Sequence, residues 1–374
     1  MLPYTQFQLG YALWTLLATW AVWWILGREA WFQLHPRARI VATSVAMVAV
    51  ALIVAVFADT FFAAVAVLFY CAALALPLLI LWQQRGRPRV DYAFVALALA
   101  SPLIAGFAAF VAPNHMRVVE RELAFAAWPA EVAPFTLVQI SDLQTVGPAA
   151  RQDEALASIN ALQPDLIAIC GDYVAGPFSK PGPAIDAARA FLGGLRAKHG
   201  VVCVKGHSET RAMRERVFEG LDLRYLDDQE WTLDLGPGQR LRVVGLGFDK
   251  PRFVPRREPG TLTLAVGHVP DQSHALIGQE VDLHLAGHTH GGQIVIPGFG
   301  APITLSSLPR EFARGLFAFG DHWLSVTPGI GMEGHHAPRV RLFCPPQIEV
   351  LRLSGGGKPF AWVEPPSQGR FSGH

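Results

Sequence analysis

Four stretches in the first third of the chain contain no charged side chain: Phe7–Leu26, Ile40–Phe57, Phe61–Trp82 and Tyr92–Ala112. A helix of about 20 apolar residues crosses roughly 30 Å of hydrocarbon, and all four stretches fall in the workable range. A cleaved signal peptide would account for the first alone, and no basic segment precedes it. Buried core helices do not come four in a row without an ionisable group. Trp14, Trp20, Trp23, Trp24 and Trp82 lie in or at the ends of the stretches, where amphipathic rings favour the interface. Pro77 and Pro102 are tolerable where neighbouring helices satisfy the freed carbonyls. Residues 1–112 are therefore expected to form an all-α domain of four transmembrane helices. With no charge inside the spans there is no evident ion path, so the segment reads as an anchor rather than a transporter.

Arginine placement suggests an orientation. The loops after the first and third spans carry Arg28, Arg37 and Arg39, and Arg85, Arg87 and Arg89, whereas residues 1–6 and 58–60 carry no Lys or Arg. The positive-inside rule puts the arginine loops in the cytoplasm and the rest of the chain outside it, although Arg117 and Arg121 pull weakly the other way. A bacterial-type inner membrane with an extracytoplasmic second domain is the expectation. Over the whole chain 31 Lys and Arg balance 30 Asp and Glu, which excludes a broad basic nucleic-acid surface.

Past a juxtamembrane connector, 113–133, short apolar runs alternate with amphipathic segments. Strands are expected at Phe135–Ser141, Leu166–Gly171 and Val201–Gly206, with helices at Asp153–Leu162, Ala184–Ala197 and Glu209–Leu221. This is the βαβ pattern of a sheet covered by helices. A strand-rich stretch follows, at Leu241–Gly247, Thr261–Gly267, Val281–Ala286, Gln293–Pro297, Trp323–Thr327 and Gln347–Leu353. The pattern fits an α/β sandwich of two sheets over 134–353, and the Gly/Pro/Ser-rich tail 354–374 reads as disordered. Cys71, Cys170, Cys203 and Cys344 have no metal-type spacing and read as small buried hydrophobes.

The chemistry lies where the strands end. Asp142, Asp172, His207, His268, and the pair His288 and His290 each follow an expected strand, most with glycine directly before them. Sites of α/β proteins form at the carboxyl ends of strands, and Asp with His suits a borderline-to-hard divalent metal. One such residue alone is usually a turn former or a surface group; the series is harder to dismiss.

The series Asp142-Leu-Gln144, Gly171-Asp172, Gly206-His-Ser-Glu209, His268 and Gly287-His-Thr-His-Gly-Gly292 resembles the calcineurin-like metallophosphoesterase superfamily, in its membrane-anchored branch. The resemblance implies a four-layer αββα sandwich and two divalent metal ions (Mn, Fe or Zn, with Mn favoured) sharing a bridging hydroxide for in-line attack. Asp142, Gln144, Asp172 and His290 would hold one ion; Asp172, His207, His268 and His288 would hold the other. Three positions depart from the family pattern: Gln144 stands for the usual His, Ala175 for an Asp, and Ser208 for the catalytic His. Gln144 is the weaker ligand, and Ser208 cannot donate a proton near neutral pH. His335 and His336 are then candidate proton donors, and Arg339 and Arg341 candidate phosphate-binding groups. The expected function is a phosphoesterase acting on a phosphate ester or pyrophosphate bond, with a lipid-linked substrate at the bilayer as the expected kind. The alternatives are a UDP-2,3-diacylglucosamine hydrolase-like role, if the domain is cytoplasmic, and a degenerate, non-catalytic binding domain.

Overall fold

The computed structural model describes residues 61–84, 92–175, 182–208, 210–247, 258–333 and 337–366, along with three isolated earlier positions. The first two expected spans, and Gly334, His335 and His336, lie outside the described residues. The chain divides into two compact units, one of 1–111 with 333–340 and the other of 112–332 with 341–374.

In the first unit, α1 (Phe61–Trp82) and α2 (Tyr92–Asn114) are helices long and apolar enough to cross a membrane. Ala63, Ala64, Ala66, Ala73 and Ala75 are buried in α1 together with Val67, Cys71, Leu79 and Ile80, and the small residues among them let helix backbones approach closely. The middle of α1 loosens into a π turn at Cys71–Ala75. Within that turn the Ala72 carbonyl accepts a hydrogen bond from the Ser101 hydroxyl, beside Pro102 of α2. A polar group is thereby satisfied inside an apolar helix pair.

The second unit is a sandwich of two six-stranded sheets. The first sheet has the order β1-β12-β2-β3-β4-β5, from Arg117–Ala124, Gln347–Ser354, Phe135–Ile140, Leu166–Ile169, Val201–Cys203 and Arg224–Tyr225. The second has the order β10-β11-β9-β8-β7-β6, from Gly315–Phe319, His322–Val326, Leu283–Ala286, Thr261–Val266, Gln239–Gly245 and Gln229–Gly236. Strands β2 to β5 run parallel, as do β7, β8, β9 and β11.

Side-chain alternation divides the core. Leu137, Leu166, Ala168 and Val202 face the second sheet and meet Leu241, Leu262, Leu264 and Leu283. Val138, Ile140, Ile167 and Ile169 face outward, under α3 (Ala150–Ala161), α4 (Gly182–Gly194) and α5 (Arg211–Phe218). The strands are apolar on both sides because both faces are covered. The far face of the second sheet is covered more thinly, by the single-turn helix Ser273–Leu276 and by loops that bring in Leu308.

Three expectations change. The connector 113–133 contains β1, which pairs in parallel with β12 from Arg117↔Gln347 to Ala124↔Ser354. The alternation in Arg117–Ala124 is mostly charged and so escapes a hydrophobic reading, yet an edge strand needs only one apolar face. Arg121 pairs with the buried Glu349, and Trp128 is buried with its indole N–H on the Arg240 carbonyl at 2.8 Å. The tail does not begin at Ser354: β12 includes that residue, Phe360 packs edge-on to Trp323, and Val363 bridges Gly320. Gln293–Pro297 is not a ladder strand but makes isolated bridges, Ile294↔Leu342 and Ile296↔Gly300.

If 113–133 is part of the sandwich, Trp128→Ala costs about 3–5 kcal/mol, the range for emptying a large aromatic site. Chemical unfolding of the detergent-solubilised chain measures this; a loose connector would give a loss near zero.

Candidate metal centre

Because β2, β3 and β4 run parallel, as do β8 and β9, their carboxyl ends open on one side of each sheet. Asp142, Asp172, His207, His268, and the pair His288 and His290 follow those ends. Backbone geometry is unusual here. Asp142, Gln144, Asp172, His288 and His290 all have positive φ, between 34° and 68°. Non-glycine residues seldom adopt this region, and such strain gathers at functional sites.

Asp172 is held by the chain around it. Its Oδ1 accepts from the backbone N–H groups of His207 (2.5 Å) and Ser208 (2.9 Å), and its Oδ2 from Gln144 Nε2 (2.9 Å). Gly206 makes this possible, since a Cβ there would stand 2.1 Å from Asp172 Oδ1. Burial pushes the Asp172 carboxyl up, but His268, the Ser208 N–H and Gln144 more than offset it, so it lies well below the ordinary range. Asp142 is the opposite case. Burial, only partly opposed by His268, raises it from 3.8 to about 7. One of its oxygens, Oδ2, accepts from the His288 N–H at 3.0 Å, while Oδ1 lies 3.5 Å from His290 Nε2.

The imidazoles are oriented by carbonyls behind them. His268 Nδ1 is 2.6 Å from the Cys170 carbonyl, which makes that nitrogen the donor and turns Nε2 toward Asp172 Oδ2, 3.5 Å away. His288 Nε2 is 2.8 Å from the Leu305 carbonyl, which leaves Nδ1 as the basic nitrogen. An imidazole fixed by a carbonyl at one nitrogen presents a lone pair at the other, as metal-ligating histidines do. The rings of His207, His268 and His288 form a triangle with centroids 4.7–5.3 Å apart. Desolvation first, then mutual repulsion, lowers His207 to about 3 and His288 to about 4, so both are neutral and able to coordinate at ordinary pH.

Two donor sets have ligand atoms within 4.8 Å of one another: Asp142, Asp172 and His268, and His207, His268 and His288. Asp142 Oδ1, fully buried, accepts no hydrogen bond among the described residues. Two buried carboxylates facing neutral imidazoles at this spacing fit divalent cations of the Mn, Fe or Zn type. His290 stands beside Asp142, as the resemblance implies. Gln144 differs from expectation, since its amide nitrogen faces Asp172 and it serves here as a donor to that carboxylate rather than offering its oxygen.

One expected phosphate-binding residue is engaged elsewhere. Arg341 is fully buried, and its guanidinium is spent on the carbonyls of His290, Pro328, Gly329, Gly331 and Cys344. It braces the loop and does not face a phosphate. Arg339 falls in the first compact unit.

Two groups of residues were missed by sequence reasoning. After β11, the segment Pro328-Gly-Ile-Gly331 lies against Asp142, with Ile330 N–H on the Ser141 carbonyl (3.0 Å) and Gly331 N–H on that of Asp142 (2.8 Å). Its two glycines after a strand were the available signal. The second group is Asp271, which accepts from Ser306 Oγ (2.7 Å) and Ser307 N–H (2.7 Å), and also from the Ser307 hydroxyl. This clamps the loop whose Leu305, at φ 54°, presents its carbonyl to His288.

Carboxylates and imidazoles held this way at the strand ends of a two-sheet sandwich define a metallohydrolase. Residues 135–292 match the family described as calcineurin-like phosphoesterase. The phosphodiesterase YaeI of Escherichia coli is 26% identical over 259 residues, covering 66% of this chain and 92% of its own. The metallophosphoesterase YkuE of Bacillus subtilis is 26% identical over 260 residues, 66% of this chain and 89% of its own. The UDP-2,3-diacylglucosamine pyrophosphatase LpxG of Chlamydia muridarum is 34% identical over 123 residues, but these are 30% of this chain and 37% of that protein. The second unit thus carries a stretch, 135–292, similar to the calcineurin-like phosphoesterases, and the chain is a metal-dependent hydrolase.

Two outcomes follow from the geometry. Asp271→Ala releases the Leu305 loop and weakens Mn binding by about 10–100-fold, as loss of an outer partner does; calorimetric titration of Mn into chelator-stripped protein reads this directly. Metal affinity also depends on Asp142, whose proton must leave before it can coordinate. Affinity therefore falls as pH drops below about 7 and levels off above it. In the metal-free protein the buried imidazoles outweigh Asp142. Between about 4 and 6.5 the unfolded state takes up the protons that folded His207 and His288 refuse, two against the one that folded Asp142 keeps, so stability rises with pH through that window. Unfolding titrations of the metal-free protein check the sign of that slope.

Proposed function

We propose that the protein is a membrane-anchored phosphoesterase that hydrolyses a pyrophosphate or phosphodiester bond of a lipid-linked substrate at the bilayer surface. The carrying observation is the convergence of Asp142, Asp172, His207, His268 and His288 in a chain that also contains α1 and α2, both apolar enough to span a membrane. An anchored site meets membrane-borne substrates at high effective concentration. With cations bound, the centre would activate water and stabilise charge on the phosphoryl oxygens. The chain's own contribution is to hold two carboxylates and neutral imidazoles in place before substrate arrives.

Ser208 narrows the chemistry. In the loop that caps Asp172, a serine hydroxyl cannot protonate a departing alkoxide near neutral pH. A leaving group already stable as an anion, such as the phosphate half of a pyrophosphate, needs no such proton. A UDP-2,3-diacylglucosamine-like pyrophosphate has this character, and LpxG is named for that bond. Such a substrate requires the domain in the cytoplasm, whereas the arginine-bearing loops favour an extracytoplasmic domain, and a lipid pyrophosphate on that side is the counterpart. Both share the leaving-group chemistry.

Full-length protein in detergent, loaded with Mn, is assayed on a lipid pyrophosphate, an aryl phosphodiester and an alkyl phosphodiester. Rates are expected to fall in that order, steeply with leaving-group pKa, and Ser208→His flattens the dependence. Asp172→Asn loses more than the ~100-fold typical of an outer partner, on every substrate. Equal wild-type rates on aryl and alkyl esters would overturn the assignment of leaving group.

A further inference from the structure

The rim of the metal centre exposes large apolar side chains that the domain does not cover. Ile296 and Phe299 lie on a small loop closed by the Ile296↔Gly300 bridge, and are 47% and 54% exposed; Phe343 is 58% exposed. Phe343 is costly twice over, since it bares an aromatic ring to water and holds a φ of 54°, a conformation that bulky residues rarely adopt.

This rim is tied to the metal loop. Leu342 N–H donates to the Gln293 carbonyl (2.9 Å) and Val295 N–H to that of Leu342 (2.9 Å). On the other side of Phe343, Cys344 Sγ approaches the His290 carbonyl at 3.4 Å. Two cations are interleaved with the rings. The Arg310 guanidinium stacks 4.1 Å over Phe299, and Arg314 Nη1 donates to the Phe343 carbonyl at 3.2 Å. Exposed aromatic and aliphatic groups alternating with arginine match a headgroup region, where rings enter the acyl boundary and guanidinium groups meet lipid phosphates.

We propose that Ile296, Phe299 and Phe343, with Arg310 and Arg314, form a lipid-facing rim that seats the metal centre against an anionic bilayer surface. The proposal rests on the membrane-anchored reading given above. The rim brings the headgroup of a membrane-borne phosphate ester to the metal centre without the lipid leaving the bilayer, and it gives Phe343's exposure and strain a use.

The test uses the full chain, one copy per nanodisc, in bilayers containing phosphatidylglycerol. Spin labels are placed singly by Phe299→Cys on the rim, Glu230→Cys on an exposed strand away from it, and Leu103→Cys on the exposed face of α2. The native cysteines Cys71, Cys170, Cys203 and Cys344 are all buried and do not compete. The label at 299 is expected to collide several-fold less with a water-soluble nickel chelate, and more with oxygen, than the label at 230. Arg314→Glu is expected to restore nickel access at 299 in anionic but not in neutral discs. Nickel access at 299 equal to that at 230, with 103 shielded, overturns the rim while leaving the anchor standing. Nickel access at 103 overturns the anchor, and the rim with it. Because each disc holds one chain, a second copy cannot supply the shielding.

Discussion

Two carboxylates buried side by side are the constraint around which this domain is arranged. Charged oxygens taken out of water cost several kcal/mol each unless something nearby answers them. The chain treats the two differently. Asp172 receives two backbone N–H groups and an amide, and stays ionised. Asp142 receives a single backbone N–H and, without a cation, keeps a proton up to about pH 7. The left-handed backbone at Asp142, Gln144, Asp172, His288 and His290 is the geometric expression of the same demand, since it turns donors and acceptors inward that an extended strand end would send into solvent.

Much of the centre was legible in the sequence because strand ends are legible. A run of Val, Ile and Leu that stops at Gly-Asp or Gly-His names both the strand and the residue that leaves it, and parallel topology does the rest. What stayed hidden has a common cause. Strand β1 contains charge on its exposed face and little apolar signal, Asp271 acts only through the Leu305 carbonyl, and Pro328–Gly331 contributes backbone rather than side chain. None of these leaves a periodic or motif-like trace. Arg341 is the converse case, in which a residue type suited to phosphate proves to be engaged by backbone carbonyls and the Cys344 sulfur.

The departures at Gln144, Ala175 and Ser208 leave the arrangement intact. Gln144 retains a bond to the Asp172 carboxylate, Ala175 is buried and holds its backbone N–H on the Thr145 carbonyl, and Ser208 still caps Asp172 through its own N–H. Gln144 exchanges one side-chain function for another, while Ala175 and Ser208 lose a side-chain function and keep a backbone one. The scaffold therefore tolerates changes in proton donation that it would not tolerate in Gly206 or Gly287, where a Cβ would collide with Asp172 or with Ser141 and Asp142.

The position of β12 has a consequence for how the molecule comes into being. Among the described residues the last strand, β12, lies between β1 and β2, the first two strands of the domain. A ribosome-bound chain can pair β2 with β3 and β4 and build the second sheet, but a gap one strand wide stays open until Gln347–Ser354 emerges. Closing it joins residues more than two hundred positions apart, a slow step because the loop entropy precedes the reward. A chain cut short before that strand would carry two bare edges beside a nearly finished site, and such edges pair readily with other chains.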